Sequence, residues 1–417
     1  MSRKLFTQLR NEWRTNIWLA VELLIVSVVM WYVVDYFYVA YSQYMLPRGF
    51  NIDHTYLLTF NELTDKSPDF DPDLCGNSEK QAEAKREILA RLARRPEVEA
   101  ACLSQNSYPY DGSNSGLGLR YDTMYSEGYL LRRMVTPDFV KVFRYEGVNG
   151  ETPEQLAQIL KEGKILASDN VLSHYGDVRL RDYVGKKFWL STSGDTLPSH
   201  ELGAAIVPVR YHDYTIWNKC VVFNLETDAD IAWSNEVCIR VKEDMDKDIV
   251  ENLMADAQKQ FHVGNFLLVD VRSFEDIRRN YQRFNTNEMR NMYAGLGFLM
   301  LNIFLGLFGT FWFRTRQRVH EIAIRKVNGA TDGSIFRRLI SEGLLLLLVV
   351  TPLAVGIDFA IGYFEFTEWY NGFVSAPRLV ITAGISLLLM ALMIVGGIYI
   401  PARKAMKIDP AVALKDE

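Results

Sequence analysis

In this chain of 417 residues, the runs that could do chemistry are a glycine-rich stretch, a set of aspartates and one His-Glu step, and each fails on spacing. A phosphate-cradling loop needs G-x-x-x-x-G-K-[ST], and that pattern is absent, so the chain is no complete P-loop ATPase. The stretch 112–118 is rich in glycine but lacks G-x-G-x-x-G spacing and reads as an exposed loop. Asp69, Asp71 and Asp73 begin like a calcium loop, but Leu74 stands where Gly is needed, Lys80 where Glu is needed, and Pro72 interrupts. His320-Glu321 opens an H-E-x-x-H zinc pattern that Ile324 breaks. With six scattered histidines and no C-x-x-C, neither a metal site nor a catalytic residue is expected, and no cofactor in this chain.

The informative run is 314–331, Arg-Thr-Arg-Gln-Arg-Val-His-Glu-Ile-Ala-Ile-Arg-Lys-Val-Asn-Gly-Ala-Thr, and its chemistry is recognition. On helical spacing Val319, Ile322 and Lys326 share one side, while Glu321 and Arg325 form an i, i+4 pair on another. Gly329 should stop this helix, and Asp332 can cap the next, which carries Arg337, Arg338 and Glu342 toward an apolar stretch. A short amphipathic helix hinged by glycine onto a long apolar one suits passing motion inward from a partner. Physical chemistry offers an alternative, an interfacial helix lying on anionic lipid, and leaves both open.

The elements that must position this run are hidden by the average. A mean hydropathy of −0.04 would suit a soluble protein. Read in windows, however, the chain has apolar stretches at 17–40, 291–313, 336–362 and 378–400, each long enough as a helix to cross a hydrocarbon core of about 30 Å. The first is too long and too aromatic at its end, with Trp31-Tyr32 and Tyr36-Phe37-Tyr38, to be a cleaved signal peptide. Basic residues stay on the cytoplasmic side. Arg3, Lys4, Arg10 and Arg14 precede the first stretch, Arg314 to Arg338 separate the second and third, and Arg403, Lys404, Lys407 and Lys415 follow the fourth, whereas Glu365 and Glu368 lie between the last two. The expectation is a multi-pass protein of the cytoplasmic (inner) membrane with both termini cytoplasmic. Its fold class is an α-helical membrane protein with four transmembrane helices plus a mixed α/β extracytoplasmic domain inserted between helices 1 and 2. The domains are 1–44, 45–285 and 286–417. The formal net charge of −5 then describes no single surface, and nothing points to nucleic acid.

Within 45–285, Ser78 with Gln81 makes a capping box, Pro96 closes that helix, and Thr152-Pro153-Glu154-Gln155 opens another. Strand-like runs fall at 56–60, 204–209, 221–223, 237–241 and 266–271, the last two flanking a helical segment at 245–261 in a β-α-β pattern. Cys75, Cys102, Cys220 and Cys238 all lie in this domain. An exported domain permits disulfides, and four cysteines allow three connectivities. Cys220 with Cys238 is the pair expected if any two join, across a turn at 228–230; buried free thiols are the alternative.

Two runs resemble one family. Glu321-Ile-Ala-Ile-Arg-Lys-Val-Asn-Gly-Ala330 resembles the E-I-G-I-R-K-A-x-G-A signature of FtsX/MacB-like ABC transporter permeases, with Ala323 in place of Gly. The C-terminal run with Pro401, Ala402, Ala405, Pro410 and Leu414 resembles that family's closing P-A-x-x-A-x-x-x-x-P-x-x-A-L-R-x-E, with Lys415 where Arg is usual. Runs 135–143, 165–176 and 184–188 look like elements of MacB-type periplasmic domains, whereas His174-Tyr175 departs from them and 189–235 matches none. The resemblance implies a permease subunit that works as a homodimer, or a heterodimer with a related permease, and with a separate cytoplasmic ABC ATPase that holds the ATP and Mg. It implies ATPase coupling through Glu321, Ile322, Ile324, Arg325, Lys326, Gly329 and Ala330. Two classes follow: an exporter acting on a periplasmic substrate, or a mechanotransmission regulator of an envelope enzyme or sensor, either with a periplasmic partner. A scaffold protein would leave the 319–330 run unexplained.

Glu22, Asp35, Glu342 and Asp358 are ionisable residues at or within the apolar stretches; the first three could reach headgroups or water, while Asp358 lies deeper, after Pro352. Gly295, Gly297, Gly306 and Gly309 suit close helix packing or a dimer seam. Asn114→Cys and Thr331→Cys, made singly in a background without native cysteines, should label from opposite sides of the membrane. The first should react with an impermeant reagent in the exposed periplasm and the second only after lysis. Labelling of both from one side would sink the four-span layout.

Overall fold

The computed structural model describes residues 13–112, 116–128, 130–191, 196–364 and 375–406. Asn114, the charged residues Arg3, Lys4, Arg10, Glu365, Glu368, Lys407 and Lys415, and Pro410 and Leu414 of the C-terminal run lie outside the described residues, as does the side chain of Ala405. The chain divides into two compact units, Met45–Thr286 and the remainder, Met1–Tyr44 with Asn287–Glu417.

Met45–Thr286 is built on strands β1 (Thr55–Glu62), β2 (Val98–Gln105), β3 (Gly116–Tyr121), β4 (Met124–Tyr125), β5 (Leu130–Val135), β6 (Ile165–Ser168), β7 (Lys187–Ser191), β8 (Thr196–Ile206), β9 (Cys220–Asn224), β10 (Glu236–Val241), β11 (His262–Val263) and β12 (Phe266–Ser273). They form one sheet in the order β11-β12-β1-β10-β2-β5-β9-β6-β8-β7-β3-β4. β1 lies antiparallel between β10 and β12, so the expected β-α-β is split by an inserted strand. Alternation sorts its side chains: Leu57 joins a core with Phe139, Phe143 and Phe274, and Leu58 joins another with Ile88, Leu92 and Leu253. Arg240, 1% exposed, donates to the carbonyls of Val142 (2.7 Å), Asp53 (2.7 Å) and Asn51 (2.9 Å), stitching the chain before β1 to β10.

Local capping departs from the sequence reading in places. Thr152 and Gln155 do form a capping box, but Asn77 rather than Ser78 caps the helix Ser78–Ala93, because its side chain reaches the Lys80 amide. The turn expected at 228–230 is a helix, Asp228–Trp233, whose own capping box pairs Thr227 with Asp230. The disulfide expectation is overturned. All four cysteines are free, and Cys220 on β9 stands three strands away from Cys238 on β10. At about 4.8 Å per strand that is roughly 14 Å, twice the reach of a disulfide. Cys238 instead faces Cys102 directly across β10 and β2.

Among the described residues, four helices are long and apolar enough to cross a membrane, Ile17–Tyr44, Arg283–Gln317, Asp332–Tyr363 and Ala376–Lys404, called the first to fourth spans below. Leu19, Leu23, Leu307, Phe311, Leu346, Leu347, Ile394 and Ile398 interlock in their core. The close approaches are not at the glycines expected. Beyond its own helix backbone, a Cβ on Gly295, Gly297, Gly306 or Gly309 would meet no atom within 4 Å, whereas one on Gly343 would sit 2.8 Å from Ile394. Asp35 does not reach for headgroups either: it is 2% exposed and accepts from Arg378 of the fourth span at 2.8 and 2.5 Å. Trp31 adds a hydrogen bond to Thr382 between the same helices, at 2.8 Å. Arg378→Ala, which strands a buried carboxylate, should cost about 3–5 kcal/mol, while replacing both partners with leucine should cost far less. Thermal unfolding of the solubilised chain measures both; equal losses would refute a pair held by mutual neutralisation.

Candidate coupling site

The second-span helix ends at Gln317, Arg318 turns the chain, and a separate helix, Val319–Val327, follows. Gly329 terminates it with φ +85°, a conformation that a side chain would strain. Ala330 closes the turn by donating from its amide to the Arg325 carbonyl at 3.0 Å. Thr331, one residue before the Asp332 expected from sequence, caps the third-span helix by accepting from the Ser334 amide. Asp332 is used differently, pairing with Lys326 at 3.0 Å across the turn.

This short helix is two-sided. Ile322 and Ala323 are buried, with Ile322 packed on Ile335 of the third-span helix beside Val319 and Leu339. Ile322, expected from sequence to couple to a partner, instead holds the helix to its own chain. Ile324 (45% exposed) and Val327 (66%) remain outside, flanked by the half-exposed Glu321–Arg325 pair at 2.7 Å. An exposed pair of this kind contributes about 0.3–0.5 kcal/mol, enough to orient charges and too little to hold a fold.

The clamp behind the helix escaped the sequence reading. Glu342, taken there for a rim residue, is mostly buried and accepts from both Arg318 and Arg338, the latter at 3.2 Å. The Arg338/Glu342 spacing of i, i+4 was the available signal; no local pattern reveals Arg318. A cavity of about 30 Å³ lined by Arg314, Arg318, Leu339, Glu342 and Ile398 lies beside the clamp. Pro401 and Ala402 of the C-terminal run are buried, Ala402 in the helix core, so they serve packing.

Residues 293–410 match the family model described as FtsX-like permease C-terminal. This segment belongs to that family. No curated protein matches the chain. The FtsX-like match covers the short helix, the third and fourth spans and Pro401 to Pro410, and supports the FtsX/MacB-like ABC permeases as the chain's family. Those proteins are ABC permease subunits without an ATPase of their own, working with cytoplasmic ABC ATPase subunits.

In the α/β unit, a second charged knot gathers the segments that continue into the first and second spans. Asp213 accepts from Arg278 (2.7 and 2.5 Å) and Tyr110 (2.9 Å) and faces Arg48 at 3.5 Å. Burial works to raise its pKa, but the hydrogen bonds from Arg278 and others outweigh it and hold the carboxyl below the usual carboxylate range. Arg210 donates to the carbonyls of Leu46 (2.7 Å) and Thr215 (2.9 Å), and Trp217 to that of Pro47 (3.1 Å). Gly49, at φ +79°, lets this strap lie so close to Pro208 that a Cβ would fall 2.3 Å from its carbonyl oxygen. Apart from Arg210 with Thr215, these partners are 65 to 170 residues apart in sequence, beyond any local motif.

Glu342→Gln keeps the shape and removes the charge shared by the two arginines. It should cost about 1.5–3 kcal/mol locally and speed amide exchange across 318–331, with exchange in the α/β unit unchanged. Unaltered exchange in that segment would refute the clamp.

Proposed function

We propose that this chain is the permease subunit of a MacB-type ABC transporter, transmitting the ATP-driven motion of a separate ATPase to its α/β unit to extrude a periplasmic substrate. The observation that carries this reading is the two-sided helix Val319–Val327, bolted inside by Ile322 and presenting Glu321, Ile324, Arg325 and Val327 outside. A short helix transmits force only if its own chain holds one side and a partner grips the other. Ile324 supplies burial and the charged pair supplies orientation, while Lys326, Gly329 and Ala330 set the angle at which the helix joins the third span.

In this reading both termini and the coupling helix are cytoplasmic, and the α/β unit, inserted between the first and second spans, faces the periplasm. ATP and Mg stay on the partner. A second copy or a related permease completes a dimer. The second-span helix, little buried and with Gly295, Gly297, Gly306 and Gly309 open, supports such a seam. The size of Met45–Thr286 supports the MacB type over the smaller domain usual in cell-division FtsX. The Asp213 knot would receive the motion of the first two spans.

Glu321→Arg combined with Arg325→Glu keeps the intrahelical pair and the net charge. The swap should weaken co-purification of the ATPase roughly tenfold or more, through like charges brought together, and abolish ATP-dependent function at equal membrane insertion. Undiminished complex formation and function would return this helix to a role on the lipid surface.

A further inference from the structure

The charged side chains of the apolar stretches are nearly all accounted for. Asp35 is paired with Arg378, Glu342 with Arg318 and Arg338, and Glu22 accepts from Thr310 at 3.0 Å. Asp358 of the third span is different. It is 2% exposed, and its Oδ1 has no hydrogen-bond partner. It lines a small cavity between the first, third and fourth spans with Ser27, Thr351 and Ser386, walled by Leu347 and Met390. Ser27, buried too, leaves its Oγ without a partner.

We propose that this cavity is a binding site for one small monovalent cation, a sodium ion held by Asp358, Ser27, Thr351 and Ser386 or, in its place, a proton on Asp358. The donor inventory supports the sign of the charge. Thr351 gives its hydroxyl proton to the Leu347 carbonyl at 2.7 Å and Ser386 gives its own to Thr382 at 2.8 Å, so what each has left for the cavity is oxygen lone pairs. The site therefore offers hydroxyl oxygens and one carboxylate, with no cation of its own. Arg378, the cationic residue on the fourth span nearest in kind, is already committed to Asp35. A carboxylate among apolar helices is costly unless its charge is balanced. A single carboxylate balances one positive charge, which argues against a divalent ion. The cavity volume, about 20 Å³, fits one water-sized guest. Sodium meets those limits with oxygen ligands, and a proton meets them on Asp358, whose hydroxyl then donates to the remaining lone pairs. The site touches all three helices, so its occupancy favours the packing in which they enclose it. This inference stands apart from the choice of ATPase, substrate or transport direction.

The test uses the full chain in nanodiscs, with sodium as the probe and choline as the control at matched ionic strength, over mildly acidic to mildly basic pH. Binding of radioactive sodium and the thermal midpoint are both read. The wild type should gain a few degrees in sodium over choline, or on acidification in choline. The first result identifies sodium as the guest and the second a proton on Asp358. Asp358→Asn, nearly the same shape without the charge, should remove whichever dependence is seen, and Ser27→Ala, which keeps the carboxylate, should weaken it. A wild type indifferent to both sodium and pH, or a dependence that survives intact in Asp358→Asn, overturns the proposal.

Discussion

A charge held among apolar helices must meet its opposite or sit at the rim, because neither lipid tails nor packed side chains replace the water it gave up. The spans of this protein are arranged around that constraint. Asp35 and Arg378 satisfy it by joining the first and fourth spans, and each leaves the other stranded if removed. Glu342 satisfies it at the end of its apolar stretch by gathering Arg318 and Arg338, which ties the end of the second span to the start of the third. Helix packing follows from these ties: with the backbones fixed in place, Gly343 can accept Ile394 where a larger residue could not.

The same logic of partnered charges recurs beside the short helix and in the α/β unit. Arg318 sits between the second-span helix and the short helix, so the Glu342 clamp holds the turn from which Val319–Val327 starts. In the α/β unit the buried Asp213 and Arg210 do comparable work on the chain around Leu46 and Arg278, using carbonyls as well as carboxylates. A buried polar network of this kind gains from having its donors satisfied with good geometry.

Where sequence reasoning failed, it failed over distance. Cys220 and Cys238 looked like neighbours because little chain separates their strands, yet two strands from far earlier in the chain, β2 and β5, lie between β9 and β10. Ile322 looked like half of an exposed apolar anchor. Period alone does not say which side of a short helix its own chain covers, and Ile335 decided that. The shift of the cap from Asp332 to Thr331 is smaller in kind, since several residue types can cap and the one whose oxygen reaches the right amide is chosen by the backbone's path.

By itself the sequence determined the four apolar helices, the mixed α/β character of the region between the first two, the short helix with its terminating Gly329, and the family to which the 293–410 segment belongs. Those properties are written in composition, period and contiguous motif, which depend only on near neighbours. Tertiary structure alone decided the strand order, the partners of Asp35, Glu342 and Asp213, the inward side of the coupling helix, and the isolation of Asp358. Each of these turns on which distant segments come together. That choice is made by the packing of the whole unit, where burial makes a missing or misplaced partner expensive.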